Sequence, residues 1–247
     1  MLTIGGIELI GEDMEYPVSM EIVDVAELRD QTRLFEDRYD AGAMLADMLA
    51  GRVGSDPLIL GVAAGGVAVA APIARRMGVG LSVAVVNKIT PPWNSEWGFG
   101  SVAYDGSVVI KESSLAQAGI DQIELGQCTE RARAKVNRRL ELFRRYRPPA
   151  DLAGRVVVLV DDGLATGVTM RGAMEAVERG RADQIVIAVP TAHREPIDWF
   201  AARQSVAAGY CPNIRSGGSF AVAQAYKQWT NMTDAEIEAI LAEFSTS

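Results

Sequence analysis

In the segment VVVLVDDGLATGVTM, residues 156 to 170, two aspartates end an apolar run just before a glycine-bearing turn and a helical pattern. Carboxylates accept hydrogen bonds and hold hard cations. The turn behind them has the opposite preference. Backbone N–H groups at a helix N-terminus, together with the positive end of the helix dipole, favour an anion such as phosphate. Gly167 lets the backbone approach a ligand closely, and the hydroxyls of Thr166 and Thr169 can donate to phosphate oxygens. This is not a Walker loop: G-x-x-x-x-G-K-[ST] does not occur, and no lysine follows the glycines. Asp161 and Asp162 would repel a phosphate laid directly on them, yet they suit hydroxyl donors or a magnesium ion. A ligand with a phosphate at one end and a diol nearby satisfies both halves, and ribose 5-phosphate is such a ligand.

Positioning these groups requires a strand that ends at Asp161 and a helix that starts after Gly167. Residues 58 to 62, 81 to 86, 156 to 160 and 185 to 189 are short continuous apolar runs rich in β-branched residues, as expected of strands buried on both faces. VAAGY at 206 to 210 is a candidate fifth. Helical patterns over 66 to 77, 168 to 179 and 194 to 203 lie between them. The alternation predicts an α/β fold: a mostly parallel twisted sheet flanked by helices, with ligands beyond the carboxyl ends of the strands. Three segments fall outside it. Residues 1 to 30 read as an N-terminal extension, a strand pair formed by LTIGGIELI and MEIVDV, ahead of a main domain over 31 to 247. Residues 91 to 111 read as a hairpin flap turned by Asp105-Gly106. Residues 233 to 244 read as a capped amphipathic helix with Ile237, Ile240 and Leu241 on one face.

Composition narrows the function classes. A net charge of −8 disfavours general nucleic-acid binding. The exception is RARAKVNRRLELFRRYR at 131 to 147, with eight basic residues and one glutamate. It reads as a solvated helix face, with contact to an anionic ligand or a partner subunit as the functional alternative. No apolar run reaches membrane-spanning length, and the acidic start does not read as a secretory signal, so a cytoplasmic protein is expected. Cys128 and Cys211 have no metal-binding spacing. The single histidine, His193, rules out a histidine-rich metal site, and no G-x-S-x-G elbow accompanies it.

DDGLATGVT resembles the phosphoribosyl pyrophosphate (PRPP) signature of the type I phosphoribosyltransferases. FEDRYDAGAMLADML at 35 to 49, VVNKIT at 85 to 90, FGSVAYDGSVV at 99 to 109 and AYKQWTNMTDAEI at 225 to 237 are similar to a subgroup whose acceptor is unassigned. The likeness covers about residues 35 to 243. It implies that Asp161 and Asp162 hold the ribose hydroxyls, directly or with Mg2+. Ala165, Thr166, Gly167, Val168 and Thr169 would wrap the 5′-phosphate, and Gly163 would also be substrate-binding. Ala63-Ala64-Gly65-Gly66 corresponds to the pyrophosphate loop, and its glycine pair offers an anion nest. Lys88 would neutralise pyrophosphate or steady its departure. Relatives commonly carry P-R-G-G at that loop, so an arginine is missing at Ala64, and Arg38 and the basic helix are the candidate substitutes.

The acceptor side is less legible. Glu96 sits just ahead of the hairpin, which by resemblance would close over the reaction and exclude water. Trp93, Trp97, Tyr226 and Trp229 could stack an acceptor ring or simply pack. The resulting expectation is a Mg2+-dependent phosphoribosyltransferase, acting as a homodimer, that moves phosphoribosyl from PRPP to a nitrogen acceptor and releases pyrophosphate. The alternative is a non-catalytic PRPP or nucleotide sensor, favoured by the missing arginine.

Overall fold

The computed structural model describes residues 2–4, 7–10, 20–95, 97–218 and 220–244. The strands are β1 (Leu2–Ile4), β2 (Ile7–Ile10), β3 (Glu21–Val23), β4 (Leu58–Val62), β5 (Leu81–Ala84), β6 (Asn87–Ile89), β7 (Gly100–Val102), β8 (Val108–Lys111), β9 (Val156–Val160), β10 (Gln184–Ala188), β11 (Thr191–His193), β12 (Val206–Tyr210) and β13 (Asn213–Arg215). The helices are α1 (Arg38–Leu49), α2 (Gly65–Met77), α3 (Glu112–Ala118), α4 (Gln122–Leu142), α5 (Val168–Arg179), α6 (Arg194–Ala201) and α7 (Asp234–Ala242).

Six strands form one wholly parallel sheet in the order β3-β12-β10-β9-β4-β5. All five residues of β4 are buried, and so is β9 beyond its first residue, because helices cover both faces. The helix ends follow local chemistry. The Asp37 carboxylate caps α1 by accepting from the N–H groups of Tyr39 and Asp40. Reciprocal capping boxes start α4 at Asp121 and Glu124 and α7 at Thr233 and Glu236. On α7, Ile237, Ile240 and Leu241 are buried, the stripe their spacing implies. Helices α1 and α2 pack through Gly42, where a Cβ would lie 2.3 Å from the Val69 carbonyl oxygen.

A second sheet is ordered β1-β2-β8-β7-β6, and α4 and α5 both pack on it. It revises two sequence expectations. The strand pair of the first 30 residues is made within LTIGGIELI alone, as β1 and β2, and β2 adds in parallel to β8. MEIVDV instead supplies β3, the edge of the main sheet, paired in parallel with β12. Its buried Met20 explains the choice: the side chain reaches Gly209, where any Cβ would be 2.6 Å from the methionine methyl. The 91–111 hairpin does turn at Asp105-Gly106, with Gly106 at φ +88° and Ser107 N–H donating to the Asp105 carboxylate. Its strands, however, form a packed layer and not a free flap. Ser101 and Val102 are fully buried, and the Ser101 hydroxyl donates to the Val168 carbonyl at 2.7 Å. The basic run begins in α4 and continues past its end through a short turn at Arg144–Tyr146, and among the described residues its arginines pair with Glu130, Asp234 and Glu141 or bond the Gly106 carbonyl. No described helix is long and apolar enough to cross a membrane.

Candidate functional site

Strands β4 and β9 are neighbours, yet α2 carries the chain from β4 to β5 on one side and α5 carries it from β9 to β10 on the other. The connections therefore diverge at the carboxyl ends of these two strands, opening a crevice. The loops that leave them are Ala63-Ala64-Gly65-Gly66 and Asp161 to Gly167, the two cradles read from the sequence. They touch. A Cβ on Gly65 would sit 1.7 Å from Asp162 Oδ2, and one on Gly66 would sit 2.4 Å from the Val160 carbonyl oxygen and 2.9 Å from Asp161 Cα. At Gly66 a Cβ would strike backbone, so glycine is required there for the loops to meet, while at Gly65 it would displace the Asp162 carboxylate and the Arg38 guanidinium. The Ala63-Ala64 peptide is cis.

Asp161 is buried and Asp162 is half-buried. Asp161 Oδ1 accepts from the Asp162 N–H at 2.8 Å, and Thr169 Oγ1 stands 3.5 Å from Oδ2. Burial, then the neighbouring Asp162 charge, pushes the Asp161 carboxyl well above the usual carboxylate range. Burial also raises Asp162, opposed by Arg38. The Arg38 Nε donates to Asp162 Oδ2 at 2.9 Å, with the two side chains 10% and 16% exposed. Arg38 Nη1 donates to the Thr230 carbonyl at 2.9 Å, and the guanidinium carbon lies 3.8 Å from the Trp229 ring centre. The same Nε is 2.7 Å from where a Gly65 Cβ would be, so this cation reaches the loop that lacks an arginine of its own. The Tyr226 hydroxyl donates to the Asp162 carbonyl at 2.6 Å, and burial raises that phenol well above its ordinary range.

The turn ahead of α5 has the local geometry the sequence suggests. Gly167 caps α5 at φ +73°, a left-handed conformation that favours glycine. A Cβ there would also meet the Pro196 Cβ at 3.0 Å. Ala165 and Thr166 are exposed on the turn, Thr169 is half-buried beside Asp161, and Val168 faces the core. Leu164 is stitched to β11, donating to the Thr191 carbonyl at 2.9 Å and accepting from the His193 N–H at 2.9 Å. A Cβ on Gly163 would meet Val222 Cγ1 at 2.7 Å.

The contacts thus bring together Arg38, Gly65, Gly66, Asp161, Asp162 and Thr169, with Ala64 leading into α2 and Gly163 to Val168 continuing from the acid pair. Lys88 arrives from the other sheet. It pairs with Ser101 across β6 and β7, and directly opposed residues share a face. Because Ser101 bonds the first turn of α5, Lys88 projects from the face turned toward that helix, its stem running over Gly98. Glu96 lies outside the described residues. Trp93 and Trp97 stack on each other at 6.0 Å, Trp93 being 64% exposed. Tyr226 and Trp229 hold Asp162 and Arg38, a supporting role that sequence spacing did not reveal. His193 has its ring 6.3 Å from that of Phe220.

Residues 37–205 match the phosphoribosyl transferase domain family. A Mycobacterium tuberculosis H37Rv protein, provisionally named as a phosphoribosyl transferase, is 34% identical over 213 residues, which make up 85% of this chain and 46% of that protein. The chain thus spans about half the length of the curated relatives it matches first. An adenine phosphoribosyltransferase of Mycobacterium bovis is 30% identical over 158 residues, 64% of this chain and 54% of that protein. The crystal structure of TT1426 from Thermus thermophilus is 38% identical with a TM-score of 0.68, covering 85% of this chain and 98% of that one.

Proposed function

The chain belongs to the phosphoribosyl transferase domain family, and from that premise we propose that it transfers phosphoribosyl from PRPP to a nitrogen acceptor, releasing pyrophosphate. The observation that carries the reading is the contact of two cradles with one acid pair between them: Gly66 lies against the Asp161 backbone and Gly65 against the Asp162 carboxylate. The head of α5 and the 165–169 turn hold the 5′-phosphate through backbone donors. Asp161 and Asp162 accept from the ribose hydroxyls. Pyrophosphate lies on Ala64 to Gly66. The C1–O bond to pyrophosphate breaks, a C1–N bond forms, and the acceptor nitrogen loses its proton.

Arg38 is the cation of the leaving-group side. It is preorganised by Trp229 and Thr230 and stands against Gly65, so it offsets the absence of an arginine at position 64. Lys88, on the α5 side of the second sheet, is proposed as a further contact to pyrophosphate. The donor set suits Mg2+ of a particular kind. No group of three or more His, Cys, Asp or Glu that could hold a metal occurs among the described residues. Two carboxylates shared with substrate oxygens are a usual magnesium environment, and Asp161 and Asp162 would hold such an ion beside the sugar. When bound, it would supply charge neutralisation for the departing pyrophosphate.

The test is incubation with PRPP, Mg2+ and a panel of nucleobases and amines, reading pyrophosphate release and product mass. Ribosylated product with stoichiometric pyrophosphate supports the transferase. PRPP binding with no turnover against any acceptor would favour the sensor reading, for which Ala63-Ala64 is the motivating feature.

A further inference from the structure

Helix α5 carries a charged side chain at its first full turn that the proposed reaction does not use. Arg171 is 1% exposed, and its Nε and Nη1 meet no hydrogen-bond acceptor among the described residues. Its guanidinium carbon lies 3.9 Å from the ring centre of Trp199 on α6. Arg203 places its own guanidinium carbon 3.9 Å from the same ring. The Trp199 Nε1 is likewise buried without an acceptor among the described residues. Donors of Arg171 and Trp199 therefore gather here unanswered. The carboxylate facing the group is Glu195, which is committed to Lys111 at 3.0 Å. His193 precedes α6, and Arg203 adds a like charge.

Burying a cation is costly unless something compensates it. The indole compensates in part through its quadrupole. What remains is a positive field released into a low-dielectric corner, and the turn that needs one is adjacent. The Arg171 Nε lies 3.9 Å from where a Cβ on Gly167 would be, beside the N-terminus of α5. Burial brings the guanidinium down to about 10, which leaves it charged at neutral pH.

We propose that Arg171 is a buried positioning residue whose charge, held by Trp199, makes the turn at Gly167 select the dianionic form of a sugar phosphate. The inference rests on the phosphoribosyl reading and adds a specificity determinant to it. Arg171 need not touch the ligand: its charge acts through the head of α5, adding to the helix dipole.

The experiment is a 31P titration of ribose 5-phosphate bound to wild type, Arg171→Met, Arg171→Lys and Trp199→Leu, with calorimetry at pH 5.5 and pH 8. A free phosphate monoester has its second ionisation near ~6. Bound to wild type, it should ionise at lower pH. In Arg171→Met the bound phosphate should return toward the free value, and the gain in affinity between the two pH values should shrink. Arg171→Lys, which keeps the charge, should resemble wild type. Trp199→Leu removes the ring and not the cation, so it should shift the ionisation part of the way and serves if Arg171→Met does not fold. A merely structural Arg171 would alter affinity equally at both pH values and leave the 31P ionisation of the bound ligand unmoved in these variants, and that result overturns the proposal. Failure of wild type to bind ribose 5-phosphate at all would instead overturn the phosphoribosyl reading on which it depends.

Discussion

Replacing Arg38 with methionine separates the two tasks assigned to it. The change keeps an apolar stem and removes the partner of a carboxylate that is only 16% exposed. Breaking a buried ion pair by removing one member costs about 3–5 kcal/mol, and the residual exposure of both partners argues for the lower end. That leaves the protein folded if its stability is in the ordinary range of about 5–15 kcal/mol. The loss should depend on pH in a definite direction. Asp162 is raised by burial despite Arg38, so its contribution to stability is full below the unfolded carboxylate value and is lost as pH rises through the folded one. Without Arg38 that folded value rises further. Urea denaturation should therefore find the variant's deficit larger at pH 8 than at pH 5, because protonating Asp162 removes the need for a counterion. Calorimetry reads the second task. One charge-assisted contact contributes about 1.5–3 kcal/mol, roughly ten- to a hundred-fold in affinity for PRPP. Ribose 5-phosphate, which has no pyrophosphate, should lose less. Equal weakening of both ligands would show that Arg38 serves only Asp162, and a deficit independent of pH would refute the ion-pair argument itself.

Asp161→Asn with Asp162→Asn should abolish ribose 5-phosphate binding, a loss of about 2–5 kcal/mol. Unchanged calorimetric affinity in the folded double variant defeats the ribose assignment. Gly167→Val places a β-branched residue at φ +73° with Pro196 3.0 Å away, so phosphorylated ligands should bind far more weakly while unphosphorylated nucleosides, if bound at all, change little. Loss of both ligand types together would point to misfolding of the turn. Lys88→Met should lower PRPP affinity at least ~10-fold and leave ribose 5-phosphate nearly untouched, with Ala64→Arg giving partial recovery. An equal effect on the two ligands, without recovery, would remove Lys88 from the pyrophosphate side.

How much of this was legible in the sequence follows from distance along the chain. The runs at 58 to 62 and 156 to 160 became β4 and β9 with the boundaries read, because continuous β-branched stretches between turn residues leave few alternatives. Helix α5 over 168 to 179 was equally plain, started by Gly167 and apolar on one face. Pairing partners were not local properties. MEIVDV is a strand in either reading, but that it borders β12 depends on where Gly209 leaves space for Met20. The hairpin's burial likewise depends on Ser101 meeting α5, which no turn signal announces.

The same limit governs the site, and it changes what the missing arginine means. A motif is a local pattern, so a loop reading Ala63-Ala64-Gly65-Gly66 looks deficient when read alone. Arg38 is separated from Asp162 by 124 residues, and its guanidinium reaches that loop only because α1 packs against α2 through Gly42. The aromatic pair that holds it comes from the far end of the chain, where Tyr226 fixes the Asp162 carbonyl and Trp229 carries the guanidinium. Such a cation is held in place before any ligand arrives, whereas an arginine on an exposed loop must lose side-chain entropy to bind. On the proposed reading, the cation missing at position 64 is supplied from a preorganised frame by Arg38. On that argument the departure from the family's loop is compatible with catalysis: the Arg38 variant tests whether the cation meets pyrophosphate, and turnover with an acceptor is where the transferase and sensor readings part.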